Sequence, residues 1–346
     1  MYVEKRPQAG KKSGRKKTIK TLAIIFCVLI VLLIGFGIYV WMNYEKLTGD
    51  LGFDPSEITE NDFDVDPEAE GLPEVTYSNG NAPSIAKGEG VTDIMLVGVD
   101  NRDVTKFTGR SDVLMYLRID KNNNSLKLVS IMRDTLVPIQ GHDYNKINTA
   151  FMYGSAELAK DTLSKSLGLS PDYYMVVNFY GMEDIIDALG GVDVELSSAE
   201  IKNLNKSIDE VNALDPNNSV ERVKNSGMQH LNGRQAVAYM RIRKIGGDQE
   251  RVLRQQRVLS GLFKKVKDID VVEIPGLIGT LSEYVRTDMN AGTMLDIATT
   301  VKGMQGAEIE KFRYPDKFQN GRYKKMSVVQ PEDFDTEIAK LHGFLE

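Results

Sequence analysis

Continuous apolar runs alternate along this chain with amphipathic stretches and with turns rich in Gly and Asn. The runs at 94–99, 113–119 and 126–131 are largely apolar, which is typical of strands covered on both faces. The stretch 248–268 carries its apolar residues along one side, which predicts a helix. Strands interleaved with helices from residue 92 onward predict the α/β class, as a layered α-β-α domain with a mixed central sheet.

Shorter patterns assign the other elements of this domain. The Lys-Asn-Asn-Asn sequence at 121–124 predicts a turn that joins the second and third strands as a hairpin. A helix over 149–167 is expected to begin at Asn148, as its cap, and to end at Gly168. Further strands are predicted at 173–179, 192–196, 309–314 and 324–329, and further helices at 182–189, 233–243, 276–285, 291–303 and 332–342.

One apolar segment is longer than a core helix needs to be. Residues 22–42 carry no charge, and at about 1.5 Å per residue a helix of this length crosses a bilayer core of roughly 30 Å. A cluster of Lys and Arg precedes the segment, and positive flanks stay in the cytoplasm. The sequence therefore predicts a cytoplasmic basic tail at 1–20 and a transmembrane signal anchor at 21–43 in a single-pass type II cell-membrane protein. A cleaved signal peptide is the alternative, but its apolar region usually has about 7–15 residues.

Charge divides the remaining chain into two segments. Residues 44–90 carry many acids, several prolines and few apolar side chains, which predicts an acidic extracytoplasmic linker that acts as a solvated spacer. Residues 91–346 are nearly neutral and are expected to form one large domain outside the membrane. This balance argues against a nucleic-acid partner.

Several common chemistries are absent from the sequence. The single cysteine, Cys27, lies in the predicted anchor, so a disulfide or a Cys-ligated metal is not expected outside the membrane. The three histidines are scattered, which argues against a zinc site. Neither a Gly-x-Ser-x-Gly elbow nor a phosphate loop ending in Gly-Lys-Ser/Thr occurs, so a serine hydrolase or an ATPase is not expected.

Two aspartates stand at ends of neighbouring predicted strands. Asp100 follows the first strand, and Asp112 opens the second. If these strands pair, the two carboxylates converge at one edge of the sheet, where α/β folds usually place ligands. Carboxylate oxygens without nearby His or Cys suit Mg²⁺ or Mn²⁺. The alternative is that each aspartate is an ordinary turn or capping residue.

Cationic side chains follow the same strands and recur further along the chain. Arg251 and Gln255 are four residues apart and therefore share one face of a helix. Guanidinium groups bind phosphate oxygens through two parallel hydrogen bonds, so such a set fits a phosphate-rich, metal-bound ligand. The alternative is that 241–257 forms a solvated basic face, paired with Asp248 and Glu250. The candidates are Arg110, Arg133, Lys146, Arg241, Arg243, Arg251 and Gln255.

Motifs in a fixed order carry a family resemblance over about residues 92–260. The motifs are Ile94-Met-Leu-Val-Gly-Val-Asp100, Gly109-Arg-Ser-Asp112, Ser130-Ile-Met-Arg-Asp134, Lys146-Ile-Asn148, Asp187-Ala-Leu-Gly-Gly-Val-Asp193, Leu231-Asn-Gly233, Tyr239-Met-Arg-Ile-Arg243 and Asp248-Gln-Glu-Arg-Val-Leu-Arg-Gln255. With these motifs the sequence resembles the LytR-CpsA-Psr family of cell-envelope proteins. One small departure is Met132, where the family commonly has proline.

The resemblance implies a magnesium-dependent phosphotransferase that acts outside the cytoplasmic membrane, with 91–346 as its catalytic domain. Such an enzyme moves an anionic glycopolymer, of the wall teichoic acid or capsule type, from a polyprenyl-pyrophosphate carrier to peptidoglycan. By motif position, Asp100 and Asp112 would hold Mg²⁺ (or Mn²⁺), and Arg110 and Arg133 would be catalytic. The residues expected to contact the pyrophosphate are Arg110, Arg133, Lys146, Arg241, Arg243, Arg251 and Gln255.

Two roles and the functional alternatives stay open at this stage. The attacking sugar hydroxyl needs a proton acceptor, for which Asp248 or Asp134 is the candidate. Apolar residues of 149–167, with Met175, Val177 and Phe179, could line a channel for the lipid tail, although core packing explains them equally well. The competing hypotheses are an envelope-related transcriptional regulator or attenuator, a non-catalytic scaffold for lipid-linked polymer, and a hydrolase of the same pyrophosphate.

Overall fold

A computed structural model describes residues 46–54, 72–73, 82–99, 101, 106–242, 244–270, 273–304 and 306–346. The strands are β1 (Val91–Val99), β2 (Ser111–Asp120), β3 (Ser125–Ile131), β4 (Leu136–Pro138), β5 (Tyr144–Lys146), β6 (Tyr173–Asn178), β7 (Val192–Leu196), β8 (Gly227–Leu231), β9 (Val285–Thr287), β10 (Ile309–Tyr314), β11 (Phe318–Tyr323) and β12 (Met326–Pro331). The helices are α1 (Thr149–Leu167), α2 (Phe179–Ala188), α3 (Ser198–Leu214), α4 (Gly233–Met240), α5 (Gly247–Asp268), α6 (Ile274–Leu281), α7 (Ala291–Gly303) and α8 (Phe334–Leu345).

The central sheet is mixed, and its strands run in the order β10-β3-β2-β1-β6-β9. Strand β1 is parallel to β6, and β3 is parallel to β10. The pairs β1–β2, β2–β3 and β6–β9 are antiparallel. The predicted α/β class with a mixed central sheet is therefore confirmed.

The hairpin between β2 and β3 forms where the sequence predicted it. The Asp120 side chain accepts hydrogen bonds at 3.0 Å from the backbone N–H groups of both Asn122 and Asn123. Asn124 then adopts φ 51°, a left-handed conformation that Asn tolerates better than most residues. Local side-chain bonding therefore closes this turn.

Both faces of the sheet are covered, which explains the continuous apolar runs. On one face, Met95, Val97 and Tyr116 pack in a core with residues of α1 and α8. On the other face, Ile94 and Leu117 pack with residues of α5 and α7. Neighbouring residues of one strand thus enter different cores, as the twofold alternation of a strand requires.

A third core lies beside the sheet, and the sequence analysis missed two of its six elements. The hairpin β7–β8, together with α2, α3, α4 and α5, buries Val192, Leu204, Ile208, Leu231 and Val258. The helix α3 and the strand β8 were not predicted. A signal for α3 was present, because Ser197 and Glu200 form a capping box in which each side chain binds the other's backbone.

The ends of α1 differ in how well the sequence predicted them. The side chain of Asn148 makes no capping hydrogen bond, and its φ of −67° is already helical. The Thr149 hydroxyl donates to the carbonyl of Lys146 at 2.7 Å instead. Gly168 ends the helix at φ 70°, as predicted, and its N–H bonds to the last turn.

Parts of the predicted linker 44–90 pack against the domain. The side chains of Leu47, Leu51 and Ala82 are buried in its hydrophobic clusters. The N–H of Ala82 donates to the carbonyl of Lys165 at 2.9 Å. These short stretches are therefore attached to the domain, because their few apolar side chains find partners there, and a solvated spacer does not describe them.

The predicted tail at 1–20 and anchor at 21–43 lie outside the described residues, and both stay predictions. Among the residues that the structure describes, no helix is both long and apolar enough to cross a membrane.

Candidate functional site

A β-bulge places Asp112 at one edge of the central sheet. The register between β1 and β2 pairs Gly98 with Val113 and then Val99 with Ser111, so that it skips Asp112. An extra residue of this kind bends its strand and redirects the side chain. Because β2 is antiparallel to β1 and β3, the same edge receives the end of β1, the start of β2 and the end of β3.

Charged side chains of alternating sign meet at this edge. Arg133, which follows β3, donates from Nη1 to Oδ1 of Asp112. Its Nε lies 3.5 Å from Oδ2 of Asp134. The ammonium of Lys146 lies 3.2 Å from Oδ1 of the same carboxylate, and the Lys146 side chain is buried. The structure thus brings Asp112, Arg133 and Lys146 into one cluster, through Asp134.

Backbone hydrogen bonds hold the chain segments of this cluster together. The N–H of Asn148 donates to the carbonyl of Arg133 at 3.2 Å, and the N–H of Ser111 donates to the carbonyl of Asn148 at 3.3 Å. The N–H of Ile147 donates to the carbonyl of Thr135 at 2.8 Å. The charged side chains therefore rest on a framework that does not depend on their own attraction.

Helix α5 approaches the edge from the second face of the sheet. Arg251 and Gln255 are 3% and 5% exposed, and the four-residue spacing puts them on one face of the helix. The neighbouring Gln256 donates from Nε2 to the hydroxyl of Ser130 at 2.9 Å, which ties α5 to β3 three residues before Arg133. Burial of Arg251 and Arg254 contradicts the alternative of a solvated basic face for these two residues.

A buried charge network behind α5 was missed by the sequence analysis. Arg254 donates to Oε1 of Glu200 at 3.0 Å, and to the carbonyls of Ile242 and Ile245 at 2.9 and 3.0 Å. The two carbonyls lie on either side of Arg243 in the chain. Arg254 therefore holds the chain at Ile242 and Ile245.

Burial and hydrogen bonding oppose each other in this network. Burial opposes ionisation of Glu200, but hydrogen bonds from Ser197 and Arg254 outweigh it and lower the pKa of the carboxyl. Burial also raises the pKa of the Tyr239 hydroxyl to about 12. Arg257 joins the network by donating to Oε1 of Glu200 at 3.1 Å and to the Tyr239 hydroxyl at 2.8 Å. At neutral pH the network therefore contains an ionised Glu200 and a protonated Tyr239, beside Arg254 and Arg257.

The other predicted site residues divide into two groups. Arg110 is half-buried and immediately precedes β2, and Arg241 is exposed at the end of α4. Asp100 and Arg243 lie outside the described residues, and so does the side chain of Asp248. The proposed roles of all these residues stay predictions.

A large apolar cavity lies between the sheet and the helices α5, α6 and α7. Its volume is about 340 Å³. The sheet contributes Leu96 and Val113, α5 contributes Leu259, and α6 contributes Leu277. Gly98, Val99 and Gln255 also line it, so the cavity extends to the sheet edge described above.

Some of the candidate lipid-channel residues line this cavity, and others do not. Met175 and Val177 line it. Phe151 and Leu163 of α1 are buried in the core on the opposite face of the sheet, and Met152 and Leu158 pack against that core. For these α1 residues the alternative of core packing therefore holds. Sequence alone left it open, because it does not say which face of the sheet a helix covers. The side chain of Phe179 lies outside the described residues.

The donor chemistry at the edge fits a hard divalent cation. Asp112 supplies carboxylate oxygens, and Asp100 directly follows Val99, whose backbone partner is Ser111. Within the described part of the chain, no three His, Cys, Asp or Glu side chains gather as a metal site. Mg²⁺ typically needs only one or two protein carboxylates, because substrate phosphates and waters supply its other ligands.

Comparison with known proteins gives the family. The model of the LytR_cpsA_psr family matches residues 62–339. The chain belongs to this family.

Relatives and solved structures agree with that assignment. The chain is similar to the polyisoprenyl-teichoic acid–peptidoglycan teichoic acid transferase TagU of Bacillus mycoides, with 31% identity over 300 residues that cover 84% of this chain and 86% of TagU. It is also 34% identical over 207 residues to the regulatory protein MsrR of Staphylococcus aureus, which covers 59% of this chain and 58% of MsrR.

Two solved family structures share the fold. The structure of TagT bound to LI-WTA superposes with a TM-score of 0.61 at 22% identity and covers 79% of this chain and 97% of TagT. The structure of Bacillus subtilis TagV gives a TM-score of 0.59 at 25% identity, over 75% of this chain and 97% of TagV. The mixed α/β architecture is therefore that of solved LytR-CpsA-Psr proteins.

Proposed function

We propose that this protein is a transferase that moves an anionic glycopolymer from a polyprenyl-pyrophosphate carrier to peptidoglycan. The likeness to TagU over most of both chains supports this activity. The observation that carries it is the junction of an apolar cavity and a cluster of charged side chains at one edge of the sheet. A lipid pyrophosphate has the same two halves, an apolar tail and a charged head.

The cavity fits the lipid half of such a substrate. A polyprenyl chain has no polar groups along its length, and it gains about 25 cal/mol for each Å² of surface that it removes from water. Most of the cavity wall consists of side chains of Leu, Ile, Val and Met from the sheet and from the helices α2, α4, α5, α6 and α7. Wall teichoic acid and capsule-type polymers are the candidate cargoes.

The charged cluster fits the pyrophosphate. Displacement at phosphorus needs mainly in-line positioning and neutralisation of charge on the phosphoryl oxygens. Arg133 and Lys146 approach from the strand ends, and Arg251 with Gln255 approaches along α5. We assign Arg110, Arg241 and Arg243 to the same ligand from their motif positions.

We assign Mg²⁺ or Mn²⁺ to Asp112 and Asp100. When bound, the ion would neutralise pyrophosphate oxygens and so help the polyprenyl phosphate to leave. The residues of this chain bind and orient the substrate. Arg133 balances the Asp112 carboxylate, and we assign it to the phosphoryl oxygens as well.

A carboxylate must accept the proton of the attacking sugar hydroxyl. Asp134 lies beside both Arg133 and Lys146 in the cluster, and its side chain is partly exposed. We assign the role of proton acceptor to Asp134, with Asp248 as the second candidate. If Asp134 accepts the proton, Asp134→Asn lowers the rate of transfer and leaves donor binding intact.

We also propose that residues 21–43 anchor the enzyme in the cytoplasmic membrane, with the domain outside. Enzyme and lipid carrier then share one membrane. A reporter fused after residue 346 is expected to be active only on the outer side, and a cytoplasmic signal would refute this topology.

The decisive experiment is transfer of a lipid-pyrophosphate-linked glycopolymer to peptidoglycan by the full chain in lipid nanodiscs. Arg133→Ala and Asp112→Ala are each expected to lower the rate by about 10²-fold or more, the typical cost of losing a charge-stabilising group. The matched control is Arg222→Ala, which opens an exposed Arg–Asp pair with Asp209 far from the cluster in sequence. That variant should keep the wild-type rate.

The same assay separates the competing functions. A scaffold binds the donor and transfers nothing, and a hydrolase releases free polymer when excess peptidoglycan is present. The name of MsrR favours a regulator. In that case the wild-type chain would neither transfer the polymer nor release it. Transfer by the wild type that survives Arg133→Ala would contradict the assignment of the cluster.

A further inference from the structure

The acceptor must reach the phosphorus atom from the side opposite the lipid carrier. This follows from the proposed function, because attacking and leaving oxygens lie roughly in line in phosphoryl transfer. The apolar cavity lies on the face of the sheet covered by α5, α6 and α7. The acceptor should therefore bind beyond the charged cluster, on the side where α1 packs.

A two-stranded ribbon occupies that side. Strands β4 and β5 pair antiparallel, with Leu136 opposite Lys146 and Pro138 opposite Tyr144. The side chain of Val137 enters the core shared with α1, whereas Leu136 packs against Met326 and Val328 of β12. The ribbon thus lies between the α1 core and the hairpin β11–β12.

Alternation along β5 connects the charged cluster to an aromatic pair. Tyr144 and Lys146 are two residues apart in the strand, so their side chains lie on the same face, roughly 6.6 Å apart along it. The ring of Tyr144 meets the ring of Tyr323 edge to face, with centroids 6.2 Å apart. On this face of β5 the side chain next to Lys146 is therefore Tyr144, the first member of the aromatic pair.

Polar groups border this pair on its exposed side. The ammonium of Lys324 lies 2.5 Å from Oδ2 of Asp143, and the two side chains are 62% and 59% exposed. The Tyr323 hydroxyl donates to Oδ1 of the same Asp143 at 3.3 Å. Aromatic rings with adjoining hydrogen-bonding groups match a sugar, which has apolar ring faces and a rim of hydroxyls.

The residue at the β11–β12 turn does not suit its backbone conformation. Lys324 has φ 55° between β11 and β12, a conformation for which Asn or Gly is the favourable choice in a two-residue hairpin. Lysine there costs backbone strain, and such strain is often retained at binding sites.

We propose that Asp143, Tyr144, Tyr323 and Lys324, the Tyr144–Tyr323 surface, bind the peptidoglycan glycan strand that accepts the polymer. The sugar rings pack on the two tyrosines. The strand then presents a hydroxyl to the phosphorus atom past Lys146 and Asp134, opposite the lipid cavity. The transferred anionic polymer is the competing occupant of this surface.

The test measures acceptor and donor separately with the full chain in nanodiscs, using soluble uncrosslinked glycan chains and a lipid-pyrophosphate-linked polymer. Tyr323→Ala and Lys324→Gly are each expected to raise the KM for the glycan chains by about tenfold. The Kd for the donor and the kcat at saturating acceptor should change less than twofold. Tyr323→Phe should restore most of the KM, because it keeps the ring.

The control is Lys121→Gly, a turn lysine of the β2–β3 hairpin at the opposite edge of the sheet. An unchanged glycan KM in the first two variants would overturn the inference, and so would a loss of kcat alone. Binding of a soluble poly(glycerol phosphate) that weakens in these variants, with glycan binding unaffected, would assign the surface to the polymer. A wild-type chain that transfers nothing would instead refute the proposed function.

Discussion

Replacing Glu200 by Gln removes one charge from the buried network that ties α5 to the chain at Ile242 and Ile245. Glu200 accepts two hydrogen bonds from Ser197 at 2.9 Å, and its other oxygen accepts from Tyr239, Arg254 and Arg257 at 3.0–3.1 Å. Gln keeps the shape but leaves Arg254, which is almost fully buried, without its counter-charge. Breaking a buried ion pair from one side typically costs about 3–5 kcal/mol.

That cost predicts a measurable shift in thermal stability. At about 2–4 °C per kcal/mol for a domain near 250 residues, Glu200→Gln should lower the Tm by roughly 6–20 °C at pH 7. The matched control is Glu195→Gln on the exposed face of β7, for which a change within about 0.5 kcal/mol is expected. Circular dichroism or calorimetric melting checks both variants.

The pH dependence of this difference has a definite sign. The pKa of Glu200 is lowered in the folded state from its usual value near 4.5. A carboxyl of this kind stabilises the fold above its unfolded pKa, and the contribution is lost as the pH falls through the folded pKa. The Tm gap between wild type and Glu200→Gln should therefore be constant from pH 6 to 7 and narrow below about pH 4.

The rate of polymer transfer by Glu200→Gln should fall as well, because Arg254 holds the carbonyls of Ile242 and Ile245, on either side of Arg243 in the sequence. The energetic argument would be refuted if the free energy of unfolding of Glu200→Gln at pH 7 lay within about 1 kcal/mol of the wild-type value. A Tm gap that widens as the pH falls would also contradict it.

Three further predictions concern single features. Asn178→Ala removes the cap that accepts from the Gly181 N–H at 2.7 Å, and should cost about 1 kcal/mol, or a Tm loss of roughly 2–4 °C, in a thermal melt. Met175→Trp fills part of the cavity and should weaken binding of a long-chain polyprenyl donor by about tenfold while a short-chain analogue binds as before; equal losses would contradict a lipid site. Asp112→Asn should weaken Mg²⁺ binding measured by calorimetry with donor present, and unchanged binding would remove Asp112 from the metal site.

The sequence alone identified five of the six strands of the central sheet and missed β9. It also selected the candidate residues of the site. The continuous apolar runs required strands buried on both faces, and β1, β2 and β3 formed at those runs. Residue type and spacing also selected Asp112, Arg133 and Lys146, which the structure brings together. Local patterns suffice for such features, because the residue types along a short segment determine both how a strand is buried and which charges it carries.

Only the tertiary structure decided where these elements meet. The bulge that redirects Asp112 depends on the register between β1 and β2. The side of the sheet that α1 covers depends on the path of the whole connection that contains this helix. The Glu200–Arg254 pair joins residues 54 positions apart in the chain. Such contacts have no local signature, because they are fixed by which surfaces bury together. For that reason the apolar cavity and its position relative to the charged cluster emerge only in three dimensions.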